Sequence, residues 1–230
     1  GGVTMAGGWP VAVDWALAPA AELTAGQAVR VTGELRGTAD DLAVQGGISG
    51  ARSATFSLNL SALSSPRALD ARIETAGNDL AVAARIDSVL DIEGELQADA
   101  LEDLWPGLDG RLAGEFRITG APMQPAVTAD LAADGLRYAG IGLDSARLEA
   151  DWQAARGGTA RLEMAGIERD GASLGKIRLA LEGRPDDHRI EVDASRGGSD
   201  LSLALEGSLD AAAPAWRGRI TRSDVTIEGE

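Results

Sequence analysis

The sequence has no cysteine, a single histidine and very few aromatic residues. Its 230 residues include one His, and aromatic side chains make up 3% of the chain. The absence of cysteine excludes disulfide bonds, thiolate nucleophiles and cysteine-based zinc sites, although it does not fix the cellular compartment. With one histidine we expect neither a Ser-His-Asp triad nor a histidine-rich metal site. We therefore expect a non-enzymatic protein without metal or cofactor.

Basic residues are scarce relative to acidic ones. The chain has 21 Lys and Arg against 36 Asp and Glu, which gives a formal net charge of -15. Such a surplus of carboxylates repels a phosphate backbone and an anionic membrane surface, and no basic cluster interrupts it. Nucleic acid is therefore excluded as a partner. The acidic residues are expected to form a solvated face that keeps the chain soluble.

Long apolar runs are absent as well. No stretch of about 18 apolar residues and no basic-then-apolar leader is present, so the sequence predicts neither a membrane-spanning helix nor an export signal. The chain begins with Gly1 and stops within an alternating pattern, VTIEGE. We therefore expect a piece of a longer chain.

The sequence is rich instead in alternating apolar and polar residues. In the segment 111–120, RLAGEFRITG, apolar residues fall on one face of an extended strand and charged residues on the other. The same period recurs along almost the whole chain, and only 100–108, ALEDLWPGL, suggests a helical turn. Hairpin signals at 76–79, 156–158, 170–171, 184–187 and 196–200 predict antiparallel neighbours. One continuous domain, 1–230, is predicted, with a possible irregular break at 61–70, SALSSPRALD.

The predicted strands are too many for a flat sheet. Roughly 18 strands would extend about 85 Å, whereas open sheets rarely exceed about 10 strands without curling. The outcome is either a β-sandwich with a closed core or an incompletely closed sheet around an apolar channel. The scarcity of aromatics favours the channel, because Leu, Ile, Val and Ala line an aliphatic ligand better than they fill a core.

A family resemblance is carried by residues 101–152, LEDLWPGLDGRLAGEFRITGAPMQPAVTADLAADGLRYAGIGLDSARLEADW, and by the later segments LEMAGIERDG, LALEGRPDDHRIEVDAS, LSLALEGSLD and AWRGRITRSDVTIEGE. These segments resemble the C-terminal half of the TamB family, subunits of the translocation and assembly module of Gram-negative bacteria. The resemblance is clearest over 101–230. It implies an all-β fold in which a long, curved, mainly antiparallel sheet forms a β-taco, or half-pipe, with a hydrophobic inner groove.

The resemblance also implies a location and partners. The family works in the periplasm, anchored to the inner membrane by an N-terminal segment that is expected to be missing here. It acts with a TamA-like outer-membrane barrel, through parts of the chain that are expected to be missing here. Its groove is expected to carry phospholipid acyl chains between the two membranes, or to bind unfolded outer-membrane protein strands during outer-membrane and autotransporter protein assembly.

The predicted groove-lining residues are the apolar members of the alternating runs in the second half of the chain. They are Leu112, Phe116, Ile118, Leu131, Leu148, Leu162, Ile177, Leu179, Leu181, Ile190, Val192, Leu201, Leu203, Leu205, Val225 and Ile227.

Two other classes of protein fit the alternation less well. An adhesin-like β-solenoid that binds surfaces is the main alternative, but turns at both ends of each strand favour antiparallel hairpins over a parallel coil. An outer-membrane barrel should carry aromatic girdles, which one Tyr and two Phe cannot supply.

The remaining conspicuous residues receive structural interpretations. His188 is expected to have a role in a turn or at the surface. The five tryptophans are expected to cap strand ends or plug the sheet rather than contact a ligand; they are Trp9, Trp15, Trp105, Trp152 and Trp216.

Overall fold

The chain folds into one sheet whose strand order is the order of the sequence. The structure, a computed structural model, describes residues 11–17, 30–38, 40–49, 53–61, 67–105, 107–122, 124–210 and 215–227. Within them, fifteen strands pair only with their sequence neighbours, and every pairing is antiparallel. The prediction of an all-β, antiparallel fold is confirmed.

The strands fall into a shorter and a longer group. The first seven have 7–9 residues: β1 Val11–Leu17, β2 Arg30–Gly37, β3 Asp41–Ser49, β4 Ser53–Ser61, β5 Arg67–Thr75, β6 Asn78–Ile86 and β7 Leu90–Ala98. The last eight have 10–15 residues: β8 Asp109–Ala121, β9 Gln124–Tyr138, β10 Ile141–Gln153, β11 Gly157–Arg169, β12 Ala172–Arg184, β13 Asp187–Arg196, β14 Ser199–Asp210 and β15 Ala215–Thr226. A 3-10 turn, Leu101–Asp103, lies between the groups, where the sequence predicts a helical turn.

The sheet is open, with β1 and β15 as its edges. Its accessible surface is 14750 Å², whereas a compact protein of 23.6 kDa exposes about 9,800 Å². Among the described residues no large side chain is fully buried. A closed sandwich core is therefore excluded, and the curved, open sheet is taco-like.

Tight hairpins account for the simple strand order. Three two-residue loops place both residues at positive φ, as type I′ turns require: Ala139–Gly140, Asp170–Gly171 and Gly197–Gly198. The backbone twist of this turn matches that of the flanking strands, so each strand returns beside its predecessor. The sequence predicts the second and third of these hairpins and also the turn at Pro185–Asp186.

Two details bear on the sequence prediction. The hairpin at Ala139–Gly140 was not predicted, because alanine rarely adopts the positive φ of 50° that Ala139 has here. At the ends of the possible irregular break near 61–70, Ser61 is the last residue of β4 and residues 67–70 are the first of β5. Residues 62–66 lie outside the described residues.

Candidate functional site

The strand register builds a continuous apolar row across the whole sheet. Residues opposite one another on neighbouring strands share a face, so a row can be followed from partner to partner. The row that contains Phe116 crosses all fifteen strands and has only aliphatic residues, Phe and Gly as members. These are Val13, Leu35, Val44, Leu58, Ala71, Val82, Gly94, Phe116, Ala129, Ala150, Ala160, Leu181, Ile190, Leu205 and Ile220.

A second row on the same face lies two residues along each strand and is apolar until the edge. It consists of Trp15, Gly33, Gly46, Phe56, Ile73, Leu80, Leu96, Gly114, Leu131, Leu148, Leu162, Leu179, Val192, Leu203 and Ser223. We call these the Phe116 row and the Leu148 row. With strands about 4.8 Å apart, each row is roughly 70 Å long. The apolar face is therefore a strip rather than a pocket.

The predicted groove residues lie on this apolar face. Leu131, Leu148, Leu162, Leu179, Val192 and Leu203 are consecutive members of the Leu148 row, and Phe116, Leu181, Ile190 and Leu205 belong to the Phe116 row. A third row, next to the Leu148 row, contains Leu112, Ile177, Leu201 and Val225. A fourth row, next to the Phe116 row, contains Ile118. Ile227 follows the end of β15 and is 75% exposed.

The sequence prediction missed the contribution of the first half of the chain. Residues such as Leu35, Leu58 and Val82 belong to the same rows as the predicted residues. Their alternation is visible in the sequence, but the predicted residues come only from the second half, where the family resemblance is clearest. The apolar strip is consequently about twice as long as the predicted residues alone indicate.

Aromatic rings cover glycines at four places on the apolar face. Trp15 lies over Gly33, Phe56 over Gly46, Phe116 over Gly94, and Trp216 over both Gly207 and Gly218, so that a Cβ at any of these glycines would overlap a ring. These rings fill the space above bare backbone. Two further tryptophans lie elsewhere: Trp105 is 46% exposed after the 3-10 turn, and Trp152 faces Val127 and Gly158. Trp9 lies outside the described residues.

The opposite face is polar and carries ion pairs both between neighbouring strands and within a strand. Arg147 Nη2 lies 3.0 Å from Asp130 Oδ2, and its Nε lies 2.8 Å from Glu149 Oε1. The hydrogen bond to Glu149, followed by the charge of Asp130, raises the pKa of the Arg147 guanidinium above its ordinary value. These side chains are about half exposed, so each pair contributes little to stability. The carboxylates therefore form the solvated face that the composition predicts.

A depression of about 830 Å³ crosses β4–β10 on the polar face. Its lining takes residues from two polar rows, among them Arg72, Glu95 and Glu115 of one and Asp70, Glu93 and Arg117 of the other. Between them lie six members of the Phe116 row: Ala71, Val82, Gly94, Phe116, Ala129 and Ala150. The apolar residues that flank this row on its own face, such as Leu80 and Ile92, are not part of the lining, so the depression opens on the polar face. Of the predicted groove residues, this depression includes Phe116 alone.

A smaller depression of about 210 Å³ lies on the ends of β12–β15. Its apolar lining consists of Leu174, Ala194, Leu201, Val225 and Ile227. Three of these are predicted groove residues, and they include Ile227. The apolar strip is thus slightly hollowed where it meets the β15 edge.

His188 has a structural environment. It is 8% exposed, and its Nδ1 lies within 3.2 Å of the carbonyl oxygens of Arg184 and Pro185. The sequence predicts that His188 has a role in a turn or at the surface. Its contacts with the 184–185 carbonyls agree with a role in a turn, and its burial does not agree with a role at the surface. No group of three His, Cys, Asp or Glu side chains that could hold a metal ion occurs within the described ranges. Within the described residues, no helix is long and apolar enough to span a membrane.

Comparison with known families agrees with the fold. A family model described as "TamB, N-terminal domain" matches residues 27–229. The match extends through the first half of the chain, and it corrects the expectation that the sequence corresponds to the C-terminal half. No solved structure matches the chain. With nearly the whole chain covered by the family model, the protein belongs to the TamB family.

Proposed function

We propose that this chain is a non-enzymatic periplasmic segment whose apolar face carries phospholipid acyl chains between the inner and outer membranes. Membership of the TamB family gives it a TamB-type role in the translocation and assembly module. The Phe116 row supports the lipid-carrying role most directly, because no polar side chain interrupts it on any of the fifteen strands. An acyl chain could follow this row from β1 to β15 without leaving an apolar surface.

An acyl chain that lies on the apolar strip is only partly buried. Each CH₂ removed from water contributes about 0.8 kcal/mol, so an acyl chain lying on the strip is retained although one side stays exposed. An open strip also lets the chain slide, because no closed pocket has to open. A charged side chain on a lipid-facing strand position costs about 2–4 kcal/mol. Sliding therefore needs an unbroken row, which the register provides.

A second candidate function is the binding of unfolded outer-membrane or autotransporter strands, with a TamA-like barrel as partner. The observation that favours it is the pair of open edges, β1 and β15, whose outer backbone groups pair with no other strand of the described residues. Such edges can accept an additional strand through main-chain hydrogen bonds. In this case the apolar face would receive the apolar side chains of the added strand.

The neighbouring residues Leu203 and Ser202 provide the test. Leu203 lies between Val192 and Ser223 on the apolar face, whereas Ser202 lies between Asp193 and Asp224 on the polar face. Leu203→Arg should slow lipid passage roughly 30-fold to 700-fold, the factor that 2–4 kcal/mol corresponds to as a barrier in series. Ser202→Arg should be tolerated, because the new cation would lie between two carboxylates. Lipid transfer by the full-length protein is the measurement, with accumulation of the protein as the folding control.

Photocrosslinking at the same two positions separates the candidate functions. A crosslinker at Leu203 should capture phospholipid, and one at Ser202 should not. Capture of unfolded outer-membrane protein at Leu203, without lipid, would replace the first candidate with the second. Normal transfer by a well-folded Leu203→Arg protein would reject the apolar strip formed by the Phe116 and Leu148 rows as the lipid path.

A further inference from the structure

The single histidine and an edge tryptophan form a hydrogen-bonded pair. His188 Nε2 lies 2.8 Å from Trp216 Nε1, and His188 Nδ1 lies 3.2 Å and 3.1 Å from the carbonyl oxygens of Arg184 and Pro185. An indole N–H can only donate and a carbonyl oxygen can only accept. Nδ1 must therefore carry the imidazole proton, and Nε2 must present its lone pair to the indole. This arrangement requires the neutral ring.

The pair ties three parts of the structure together at the β15 end of the sheet. His188 is the second residue of β13, whereas Trp216 belongs to the edge strand β15. The Trp216 ring covers the backbone of β14 and β15 at Gly207 and Gly218. The Pro185 carbonyl also accepts the Leu209 N–H at 2.7 Å, which joins the end of β14 to the same turn. We call this arrangement the His188–Trp216 clasp.

We propose that the His188–Trp216 clasp is a proton-sensitive latch that holds the edge strand β15 on the sheet. Protonation of Nε2 would place an N–H opposite the indole N–H, and two donors cannot share a hydrogen bond. The bond breaks, Trp216 leaves Gly207 and Gly218, and β15 loses this side-chain contact, while those of Arg219 with Glu206 and of Thr221 with the Ala204 carbonyl remain. Because the closed clasp needs the neutral imidazole, it holds at high pH and is released as the pH falls.

Among the described residues around the ring, no carboxylate lies on the apolar face to accept from the new N–H. The neighbours of the ring on the apolar face are Gly183 on β12 and Gly207 on β14. By the register, the charged residues of the strands packed against it lie on the polar face, namely Glu182, Arg184, Asp187, Arg189, Glu206, Arg217 and Arg219. Asp186, in the turn, is held by Arg184, whose Nε lies 3.0 Å from its Oδ1. No described carboxylate on the apolar face is adjacent to the ring, so protonation opens the clasp rather than rearranging it.

Amide hydrogen exchange and the indole N–H resonance of Trp216 test the proposal on the 230-residue chain. Between pH 8 and pH 5, the range in which histidine changes charge, the protection of β15 amides should fall about tenfold relative to β10 amides. Exchange rates are corrected for their intrinsic pH dependence. The Trp216 indole resonance, identified by its loss in Trp216→Phe, should shift over the same range.

Two variants remove the proton dependence in different ways. His188→Gln is neutral at every pH and offers a carbonyl oxygen to the indole, so β15 protection should not change between pH 8 and pH 5. Trp216→Phe keeps a ring over the glycines but has no donor, and its β15 protection should also be flat. A flat response in the unaltered protein overturns the proposal. The full tenfold response in a folded His188→Gln protein, or in Trp216→Phe if His188→Gln does not fold, overturns it equally.

Discussion

On the apolar face, aromatic rings pack over glycines. Phe116 covers Gly94 and Phe56 covers Gly46, so a large ring on one strand fills the space left by a missing side chain on the next. Gly33 is likewise covered by Trp15. The sequence could not reveal these pairs, because the partners are brought together only by the register.

Adjacent glycines in β3 allow a matched test of this packing. A Cβ at Gly46 would overlap the Phe56 ring and the Thr32 carbonyl oxygen, whereas a Cβ at Gly47, on the other face, has Ala54 O as its nearest neighbour at 3.6 Å. Gly46→Ala should therefore lower the free energy of unfolding by about 1–3 kcal/mol. Gly47→Ala should leave it unchanged or raise it by about 0.5–1 kcal/mol. Urea denaturation measures both, and equal effects would contradict the ring-over-glycine packing.

At the level of strands and turns, the fold follows from local rules. Alternation with period two, interrupted by Gly- and Asp-containing pairs, predicts antiparallel hairpins, and the structure has them at Asp170–Gly171 and Gly197–Gly198. Fifteen strands lie within the described residues, and roughly 18 were predicted for the whole chain. The turn at Ala139–Gly140 was missed because nothing local to alanine favours a positive φ.

The same turn offers a stabilising substitution. Ala139 has a φ of 50°, and a left-handed conformation costs an ordinary residue about 1–2 kcal/mol. Ala139→Asn creates the Asn-Gly pair that type I′ turns prefer, and it should raise the free energy of unfolding by about 0.5–1 kcal/mol. Ala155→Asn, in a turn where this residue does not have a positive φ, is the control and should bring no gain. Thermal or urea unfolding of the two variants makes the comparison.

At the scale of the whole molecule, stability should be distributed unevenly along the sheet. Each strand pairs only with its sequence neighbours, so there is no common core that every strand shares. The longest strands, of 13–15 residues, are β8–β12, and the shortest, β1, has 7 residues. The apolar face in the second half of the chain was predictable from alternation alone. The polar depression across β4–β10 was not, because it depends on how side chains on six or more strands align.

Native-state hydrogen exchange should reveal a gradient of local stability. Amides of β10 and β11 should open with free energies at least about 2–3 kcal/mol above those of β1 and β2, because the latter have short ladders and one lies at an edge. Exchange followed by mass spectrometry resolves the individual strands. A single opening free energy shared by all fifteen strands would show instead that the sheet unfolds as one cooperative unit.

The meander order of the strands determines how the chain can fold as it is synthesised or exported. Leu90 and Gly120, the most widely separated pair in the described ladder, are only thirty residues apart in sequence. Every loop that must close during folding is therefore short, and the entropic cost of closing it stays small whatever the length of the chain. A polypeptide of this kind can fold progressively as it emerges from a narrow exit, each new hairpin adding to a finished edge, and its first and last residues never have to meet.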